Sequence, residues 1–424
     1  MNPEKILKKL QKISFSENVI IIGAGAAGLY AGWLLDRLGV DYTILEASPV
    51  YGGRLAKLEG FADYPIDLGA QWLHGKKSLA GDWVKEQGAE IKADRSEEAY
   101  WFGGRLTKKP PLDTEIFEQE DLPDISFQEL ARERGLGPEF DGLITALAGD
   151  LGASPAKLSA YYNVLEFDSW KSGSTDYKFS ETFFDLMERQ LIPVVRNHIR
   201  LNRPVTEIDY SGRNILLTDA SGERYKAGKV IITVPVTILQ QDDIRFIPEL
   251  PRSKRLAFSK IGMEPAIKIF MKFRERFYPG NTFGGEVCAA YIDEQYGKTG
   301  TTPVLLAYLM GGQASKLMAL GSDEAMTEAL IGELDLMFGG QASAHFEDAH
   351  VQNWTTHPWI RGGYSYSLCG MANARSVAAK PHAGCLYFAG EAMNTRGHHQ
   401  SVHGALESGL QAVKMMIRRA SPEP

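Results

Sequence analysis

Cysteine, long apolar runs and blocks of basic charge are all scarce in this sequence. Its 424 residues include only three cysteines, Cys288, Cys369 and Cys385, which are widely spaced and odd in number. Such a set forms neither a metal-binding pattern nor a disulfide framework, and it is typical of a reducing compartment. No apolar run approaches the roughly 20 residues that cross a bilayer, and the charged N-terminus lacks the apolar segment of a signal peptide. We therefore expect a soluble, cytoplasmic protein with no membrane partner.

The charge balance argues against another class of partner. The 46 basic and 53 acidic residues give a net charge of −7, and the sequence contains no basic block. We therefore expect no nucleic-acid partner. Glycine is the one marked excess, with 43 residues, and it indicates many tight turns or close approaches of the backbone to a ligand. A chain of this length is expected to form two domains.

The segment NVIIIGAGAAGLYAGWLLDRLGVDYTILEAS, at 18–48, has the pattern of a strand, a helix and a second strand. Its first strand is an unbroken apolar run, which is typical of a parallel strand buried on both faces. Gly23, Gly25 and Gly28 form G-x-G-x-x-G, which allows a tight turn and places a pyrophosphate at the helix N-terminus. Glu46 ends the second strand and is positioned to accept hydrogen bonds from ribose hydroxyls. The segment predicts a dinucleotide site, and the acid argues against NADP without separating NAD from FAD.

Four further motifs resemble a single family. ASPVYGGRLAKL follows Glu46 directly, IDLGAQWLHG spans 66–75, NWTTHPWIRGGYSYS spans 353–367, and LYFAGE at 386–391 precedes SVHGALESG at 401–409. Together they resemble the flavin-containing amine oxidases, and they are most similar to the branch of polyamine oxidases and lysine-specific histone demethylases. The hairpin pattern at 200–239 resembles the second contribution of that family to its FAD-binding domain.

The resemblance implies an α/β fold. A Rossmann-like FAD-binding domain, of the glutathione-reductase and p-hydroxybenzoate-hydroxylase type, would carry an inserted α+β substrate-binding domain. Residues 1–80, 200–245 and 380–424 would form the first domain, and residues 81–199 and 246–379 the second. The cofactor-binding residues that the resemblance implies are Gly23, Gly25, Ala26, Ala27, Gly28, Glu46, Ala47, Gly53, Arg54, Gly69, Ala70, Gln71, Trp72, Val205, Trp359, Gly390, Glu391, Ser401 and Val402.

Several of these residues have specific roles in the resemblance. Glu391 would accept a hydrogen bond from the ribityl chain, and Val205 would contact the adenine end through its backbone. The N–H of Val402, at the start of the last helix, would face the pyrimidine edge of the flavin, with Ser401 as the helix N-cap. The monoamine oxidase branch attaches FAD to a cysteine at the position of Gly363. The glycine therefore predicts non-covalent FAD.

The substrate side of the site is implied by other residues. His74 would face the substrate, and Tyr364 would present its ring to the amine in front of the flavin. Ser401 stands where the monoamine oxidases have a second tyrosine, which favours the polyamine oxidase branch. His398 and His399 are adjacent and would point in different directions, and His403 follows four residues after His399. No nearby carboxylate or cysteine completes a metal site with them, so we expect no bound metal.

The segment AIKIFMKF, at 266–273, carries the last catalytic candidate. Alternation places Lys268 and Lys272 on one face of a strand, and the pattern alone predicts that both are solvated. With the RERFYP that follows, however, the segment resembles the polyamine oxidase pattern. In that pattern Lys268 would reach the flavin N5 atom through a water molecule. Lys272 has no matching role and is expected to be a surface lysine.

The sequence thus predicts an FAD-dependent amine oxidase. It would oxidise a primary or secondary amine, polyamine-like or monoamine-like, to an imine that hydrolyses to an aldehyde, with reduction of O2 to H2O2. One alternative is an L-amino acid oxidase or tryptophan monooxygenase relative, in which an arginine such as Arg361 would clamp the carboxylate. Others are a desaturase or protoporphyrinogen-oxidase-like enzyme and a non-catalytic flavin-binding module. Residues 81–200 resemble nothing specific, so the amine is undefined, and either a monomer or a homodimer is compatible with the sequence.

Overall fold

The computed structural model describes residues 3–119 and 121–419. The strands are β1 (Val19–Ile22), β2 (Tyr42–Leu45), β3 (Lys57–Leu58), β4 (Ile66–Asp67), β5 (Trp72–His74), β6 (Ile91–Ala93), β7 (Glu98–Phe102), β8 (Arg105–Thr107), β9 (Asp176–Phe179), β10 (Ile199–Arg200), β11 (Val205–Asp209), β12 (Ile215–Asp219), β13 (Arg224–Ala227), β14 (Lys229–Ile232), β15 (Arg245–Ile247), β16 (Ile261–Met263), β17 (Ala266–Phe273), β18 (Asn281–Phe283), β19 (Ala290–Asp293), β20 (Val304–Met310), β21 (Phe346–Asn353), β22 (Ser365–Ser367) and β23 (Leu386–Phe388). The α-helices are α1 (Pro3–Leu10), α2 (Ala26–Arg37), α3 (Leu79–Gln87), α4 (Phe127–Glu133), α5 (Asp141–Asp150), α6 (Ala160–Ser169), α7 (Phe183–Val195), α8 (Val236–Gln240), α9 (Arg252–Ser259), α10 (Gly311–Met318), α11 (Asp323–Phe338), α12 (Gln341–His345), α13 (Ala374–Ala379) and α14 (Val402–Arg419).

A parallel sheet organises the nucleotide-binding half of the molecule. Its strand order is β10-β2-β1-β14-β23, and each neighbouring pair is parallel. All four residues of β1 are buried, as expected for a strand covered on both faces. The helices α2, α7 and α14 pack together on one face in a single apolar cluster. The predicted strand–helix–strand unit is therefore confirmed, and so is the α/β, Rossmann-like fold class.

The glycines of the first turn allow close packing rather than only a sharp bend. Gly23 has φ of +105°, a conformation that side chains other than glycine rarely adopt. A Cβ atom at Gly28 would lie 1.9 Å from the carbonyl oxygen of Gly23. The first turn of α2 therefore lies against the end of β1, and only glycine fits at that contact.

The hairpin pattern at 200–239 forms a small second sheet. Strands β11, β12 and β13 pair antiparallel, as the sequence predicts, and β15 joins the sheet parallel to β11. Between β13 and β15 the chain passes through β14, which belongs to the parallel sheet of the nucleotide-binding half.

AIKIFMKF is β17, an interior strand of a seven-stranded sheet with the order β21-β17-β20-β19-β18-β7-β8. One face of β17 packs against α11 through Ile269 and Leu330. The other face packs against a different apolar layer through Phe270 and Trp354. Because both faces are covered, alternation in this strand does not mark a solvent side. Lys268 is accordingly 4% exposed.

Lys272 is partly exposed, so its assignment as a surface lysine was correct only in part. Its side chain is 23% exposed, and its ammonium lies over the ring of Phe61 and 4.0 Å from the carboxylate of Asp348, whose side chain is 59% exposed. The ammonium therefore lies beside an exposed acid, while part of the side chain is covered.

Helix α11 begins after its N-cap Ser322, whose hydroxyl accepts from the N–H of Ala325 at 3.1 Å. Within the described part of the chain, no helix is long and apolar enough to cross a membrane. The division into an FAD-binding and a substrate-binding domain stays a prediction.

Candidate active site

A cavity of about 920 Å³ extends from the carboxyl ends of β1, β2, β14 and β23 to strands β17 and β20. The crevice at the carboxyl ends of a parallel sheet is where such folds bind their ligands. Nearly all the residues predicted from the motifs line it. The lining includes Gly23, Gly25, Ala26, Ala27, Glu46, Ala47, Gly53, Arg54, Gly69, Ala70, Gln71, Trp72, His74, Val205, Lys268, Trp359, Tyr364, Gly390, Glu391, Ser401 and Val402. Gly28 instead packs α2 against β1.

The dinucleotide end of the cavity is built by the first βαβ unit. Glu46 is buried, and its carboxylate accepts from the N–H of Ala24 at 2.6 Å and of Ser48 at 2.8 Å. Burial raises the pKa of Glu46, and these N–H groups act against that shift. A Cβ at Gly25 would meet nothing within 4 Å, so the start of α2 is open to the cavity. An open helix N-terminus beside a buried acid fits the pyrophosphate and ribose of a dinucleotide.

An ion pair between Arg54 and Glu391 connects three of the sequence motifs. The Arg54 guanidinium lies 2.9 Å from the Glu391 carboxylate and donates to the carbonyl of Gly363 at 2.9 Å. Glu391 also accepts from the hydroxyl of Ser365 at 2.7 Å and the N–H of Gln400 at 3.0 Å. Burial acts to raise the pKa of Glu391, but Arg54 and Ser365 outweigh it and lower the pKa to about 2. The carboxylate therefore holds the cavity wall together, and its bond to a ribityl chain stays a prediction.

Lys268 lies in the cavity wall and not in solvent. Its Nζ donates to the carbonyl of Gly69 at 2.7 Å, to that of Asp67 at 3.4 Å and to the side-chain oxygen of Gln71. Burial lowers the pKa of Lys268 to about 8, against the opposing effect of the Glu294 carboxylate. A lysine with such a pKa is able to exchange a proton near neutral pH.

An aromatic wall adjoins Lys268. The hydroxyl of Tyr364 is hydrogen-bonded to that of Tyr308 at 2.5 Å and donates to the backbone carbonyl of Asp150 at 2.7 Å. The Trp72 ring lies edge-on to Tyr308, with ring centroids 6.5 Å apart. Tyr308 was not predicted from the sequence, because only the pairing of β17 with β20 places it opposite Lys268.

Two acids line the more exposed part of the cavity. His74 and Asp176 face each other on paired strands, and the His74 Nδ1 lies 2.9 Å from the Asp176 carboxylate. Burial acts to lower the pKa of His74, but Asp176 outweighs it and raises the pKa. Asp150 also lines the cavity, and burial raises its pKa. Neither acid was predicted from the sequence, because both lie within residues 81–200, which contain no recognisable motif.

The C-terminal histidines and Ser401 have internal partners. His398 lies 2.9 Å from Glu407, and His399 lies 2.9 Å from Glu166. No group of three or more His, Cys, Asp or Glu suited to a metal ion occurs among residues 3–119 and 121–419. Ser401 caps α14, since its hydroxyl accepts from the N–H of Gly404 at 3.0 Å. The role of Ser401 toward substrate or flavin stays a prediction.

Gly363 lies close to two side chains. A Cβ atom there would lie 2.4 Å from the Met310 Cε and 3.0 Å from the Ala266 Cβ. Because Cε is the end of a flexible side chain, a residue larger than glycine at this position requires Met310 to move.

Comparison with known proteins identifies two sequence families and a set of relatives. Residues 182–417 match the profile of the family described as flavin containing amine oxidoreductase, and residues 21–86 match the NAD(P)-binding Rossmann-like domain. The chain is 28% identical over 444 residues to lysine-specific histone demethylase 1B of Mus musculus, covering 95% of this chain and 53% of the relative. It is 28% identical over 453 residues to probable polyamine oxidase 4 of Arabidopsis thaliana, covering 97% and 89%. The chain thus spans about half the length of the demethylase.

Solved structures share the fold. A triple mutant of putrescine oxidase superposes with a TM-score of 0.81 at 20% identity, covering 95% of this chain and 99% of the other. Cyclohexylamine oxidase from Brevibacterium oxydans IH-35A superposes with a TM-score of 0.80 at 21% identity, with the same coverage. At this level of identity the likeness shows the fold alone.

Proposed function

The chain belongs to the flavin containing amine oxidoreductase family, and from that membership we propose that it oxidises a small amine carrying a second cationic group. The product would be an imine that hydrolyses to an aldehyde, and O2 would be reduced to H2O2. The main support for the proposal is the cavity, which is lined by the residues predicted to bind a dinucleotide, by a buried lysine, by the aromatic wall and by two acids.

The cofactor is FAD, bound in our proposal without a covalent link. The start of α2 would hold its pyrophosphate and Glu46 a ribose, while the N-terminus of α14 at Val402 would supply positive dipole potential. The glycine at position 363, which has no thiol to attach a flavin, supports the non-covalent form. Bound FAD supplies a hydride acceptor and an electron donor to oxygen, and the protein supplies orientation and electrostatics.

The residues that line the cavity would bind the amine, orient it and handle its proton. Asp150 and Asp176 would attract the cationic substrate and hold its distal ammonium. Tyr308, Tyr364 and Trp72 would exclude water and orient the carbon beside the reacting nitrogen. That nitrogen must lose its proton before a hydride leaves the neighbouring carbon. Lys268 would hold or relay this proton, or serve the later step with oxygen.

The amino acid oxidase alternative is less well supported. Arg361 is paired with Asp243 at 2.7 Å and with Gln241, and it does not line the cavity. Of the described residues, the arginines that do line it are Arg54, paired with Glu391, and Arg203, paired with Asp219 and Glu223. Each guanidinium already has a carboxylate partner, which disfavours a clamp for a substrate carboxylate.

Peroxide release from a panel of amines tests the proposal. The panel compares butane-1,4-diamine and longer polyamines with butylamine and with amino acids. We expect the diamine or a polyamine to have the highest kcat/KM. Asp150→Asn should raise KM for the diamine about tenfold, and should change KM for butylamine less, because a lost ion pair in a cavity is worth about 1.4 kcal/mol or more.

The matched control is Asp168→Asn, which neutralises an exposed acid that does not line the cavity. It should leave both KM values unchanged. Equal kcat/KM for butylamine and the diamine would contradict the second cationic group. Oxidation of amino acids alone would support the alternative instead.

A further inference from the structure

A group of buried charges surrounds Lys268, and one of its members, Lys178, lies over the ring of Trp72 at 4.8 Å. We call this group the buried charge cluster, and it consists of Asp67, Lys178, Lys268, Glu294 and Lys298. Each of these side chains has 4% or less of its surface exposed. The Lys178 ammonium lies 3.5 Å from Glu294, and the Lys298 ammonium lies 3.5 Å from Asp67. The cluster therefore has three cations for two anions, and Lys268 is the cation without a directly paired carboxylate among the residues that the structure describes.

Gln71 connects Lys268 to one of these carboxylates. Its side-chain N–H donates to Glu294 Oε2 at 3.3 Å, and its side-chain oxygen accepts from the Lys268 ammonium. An ionised carboxylate only accepts hydrogen bonds, so Glu294 fixes which end of the amide faces Lys268. Gln71 is itself 2% exposed, and no solvent competes for either bond. The other oxygen of Glu294, Oε1, is buried and has no hydrogen-bond partner in the described part of the chain, so Gln71 and Lys178 share the one oxygen, Oε2, that is bonded.

The surroundings of the Lys268 Nζ suit an ammonium. Its three acceptors are the carbonyl oxygens of Asp67 and Gly69 and the side-chain oxygen of Gln71. An ammonium has three donors and no acceptor, whereas a neutral amine would direct its lone pair at one of these oxygens. Without the carboxylate beyond Gln71, burial and the two other lysines would all favour the neutral amine.

We propose that Glu294 is a positioning residue for Lys268, which it keeps as a cation through the amide of Gln71. The lysine would then place one positive charge in the cavity wall at neutral pH, where reduction of bound FAD adds negative charge. This inference rests on FAD binding and not on the identity of the amine.

The charged groups around Lys268 shift its pKa in opposite directions. Glu294 and Asp67 raise its pKa, while burial, Lys178 and Lys298 lower it. Tyr308, across the strand pair, stays neutral, because burial raises its own pKa above the ordinary value. With the pKa of Lys268 at about 8, the lysine is mainly a cation at pH 7. Loss of a charge as close as Glu294 should lower that pKa by about one unit or more.

The midpoint potential of the bound flavin, measured against pH with redox dyes, tests the proposal without any amine substrate. A group that binds its proton more tightly when the flavin is reduced changes the slope of this plot at its own pKa. The plot for the wild-type protein should steepen near the pKa of Lys268, and Lys268→Met should abolish that feature. Glu294→Gln should move it to lower pH by about one unit or more.

Two further variants complete the experiment. Asp293→Asn is the matched control, since Asp293 is a buried acid next to Glu294 that pairs with Arg276 instead of Gln71. It should leave the feature in place. Gln71→Met breaks the bridge while leaving the pair of Glu294 and Lys178 intact, so it should also shift the feature to lower pH even where Glu294→Gln fails to fold.

Two results would overturn the proposal. One is a feature that stays at the same pH in Gln71→Met or Glu294→Gln, and the other is a feature that survives Lys268→Met. Because dithionite reduces the flavin and the dyes only equilibrate with it, no amine is needed. A failure of the proposed amine oxidation would therefore not affect this measurement.

Discussion

Removal of the Arg54–Glu391 ion pair should destabilise the protein by an amount that the structure allows us to estimate. The guanidinium lies 2.9 Å from a carboxylate whose side chain is 7% exposed. Its neighbours lower the pKa of Glu391 from the ordinary 4.5 to about 2. At about 1.4 kcal/mol per pKa unit, this difference corresponds to about 3 kcal/mol of stabilisation of the ionised form. Arg54 provides the largest favourable contribution and Ser365 the next, so we assign about 2 kcal/mol to the pair itself.

A double-mutant cycle measures that coupling. The variants Arg54→Met, Glu391→Gln and their combination would be unfolded with urea at pH 7 in saturating FAD, with tryptophan fluorescence as the signal. Each single variant should lose about 3 kcal/mol, because it leaves a buried group without its partner. The double variant should lose about 2 kcal/mol less than the sum of the two.

The pH dependence adds a second check. Because the pKa of Glu391 is lowered in the folded state, its contribution is present above about pH 4.5 and is lost as the pH falls through about 2. The coupling should therefore be the same at pH 8 and pH 5. Single effects that add within about 0.5 kcal/mol would refute the estimate, and so would a coupling that decays between pH 6 and pH 5.

Three further outcomes follow from the packing and charges. Lys254→Met should lower the free energy of unfolding by about 2 kcal/mol, because the buried Lys254 ammonium donates to three backbone carbonyls at the end of α13. Urea unfolding measures this loss, and an unchanged free energy would show that the carbonyls find other partners. Acid precipitation should release all the flavin into the supernatant, because position 363 is a glycine and offers no thiol for a covalent link. Flavin retained in the pellet would contradict non-covalent binding. Asp176→Asn should lower the pKa of His74, because the carboxylate that raises this pKa is lost. NMR titration of the imidazole protons measures the shift, and an unchanged pKa would show that Asp176 does not act on His74.

The local motifs were predictable because their physical causes are local. Gly23 and Gly28 sit at a turn whose geometry excludes a side chain, and the apolar run before them has to be a buried strand. Glu46 follows from its place at the end of the next strand. Each of these inferences requires only a few dozen consecutive residues.

The rest of the site depends on which strands become neighbours. Tyr308 faces Lys268 only because β20 pairs with β17, and the two lie 40 positions apart in the sequence. Asp176 meets His74 through the pairing of β5 with β9. For Lys268, alternation alone predicted solvent, because a single strand cannot reveal that both of its faces are covered.

The buried charge cluster could not be predicted from the sequence for the same reason. Glu294 lies just beyond the end of β19 and carries no motif, so nothing in its own neighbourhood marks it as a partner of Lys268. It meets that lysine through Gln71, a residue more than 200 positions earlier in the chain.

Anaerobic mixing of the FAD-loaded protein with butane-1,4-diamine tests the central claim most directly. If the chain is an oxidase for amines with a second cationic group, the absorbance of oxidised flavin should disappear in a single turnover, and one equivalent of aminoaldehyde should form. Admission of oxygen should then restore the absorbance and release one equivalent of peroxide. A flavin that dithionite reduces but that no diamine, polyamine or monoamine reduces would contradict the account.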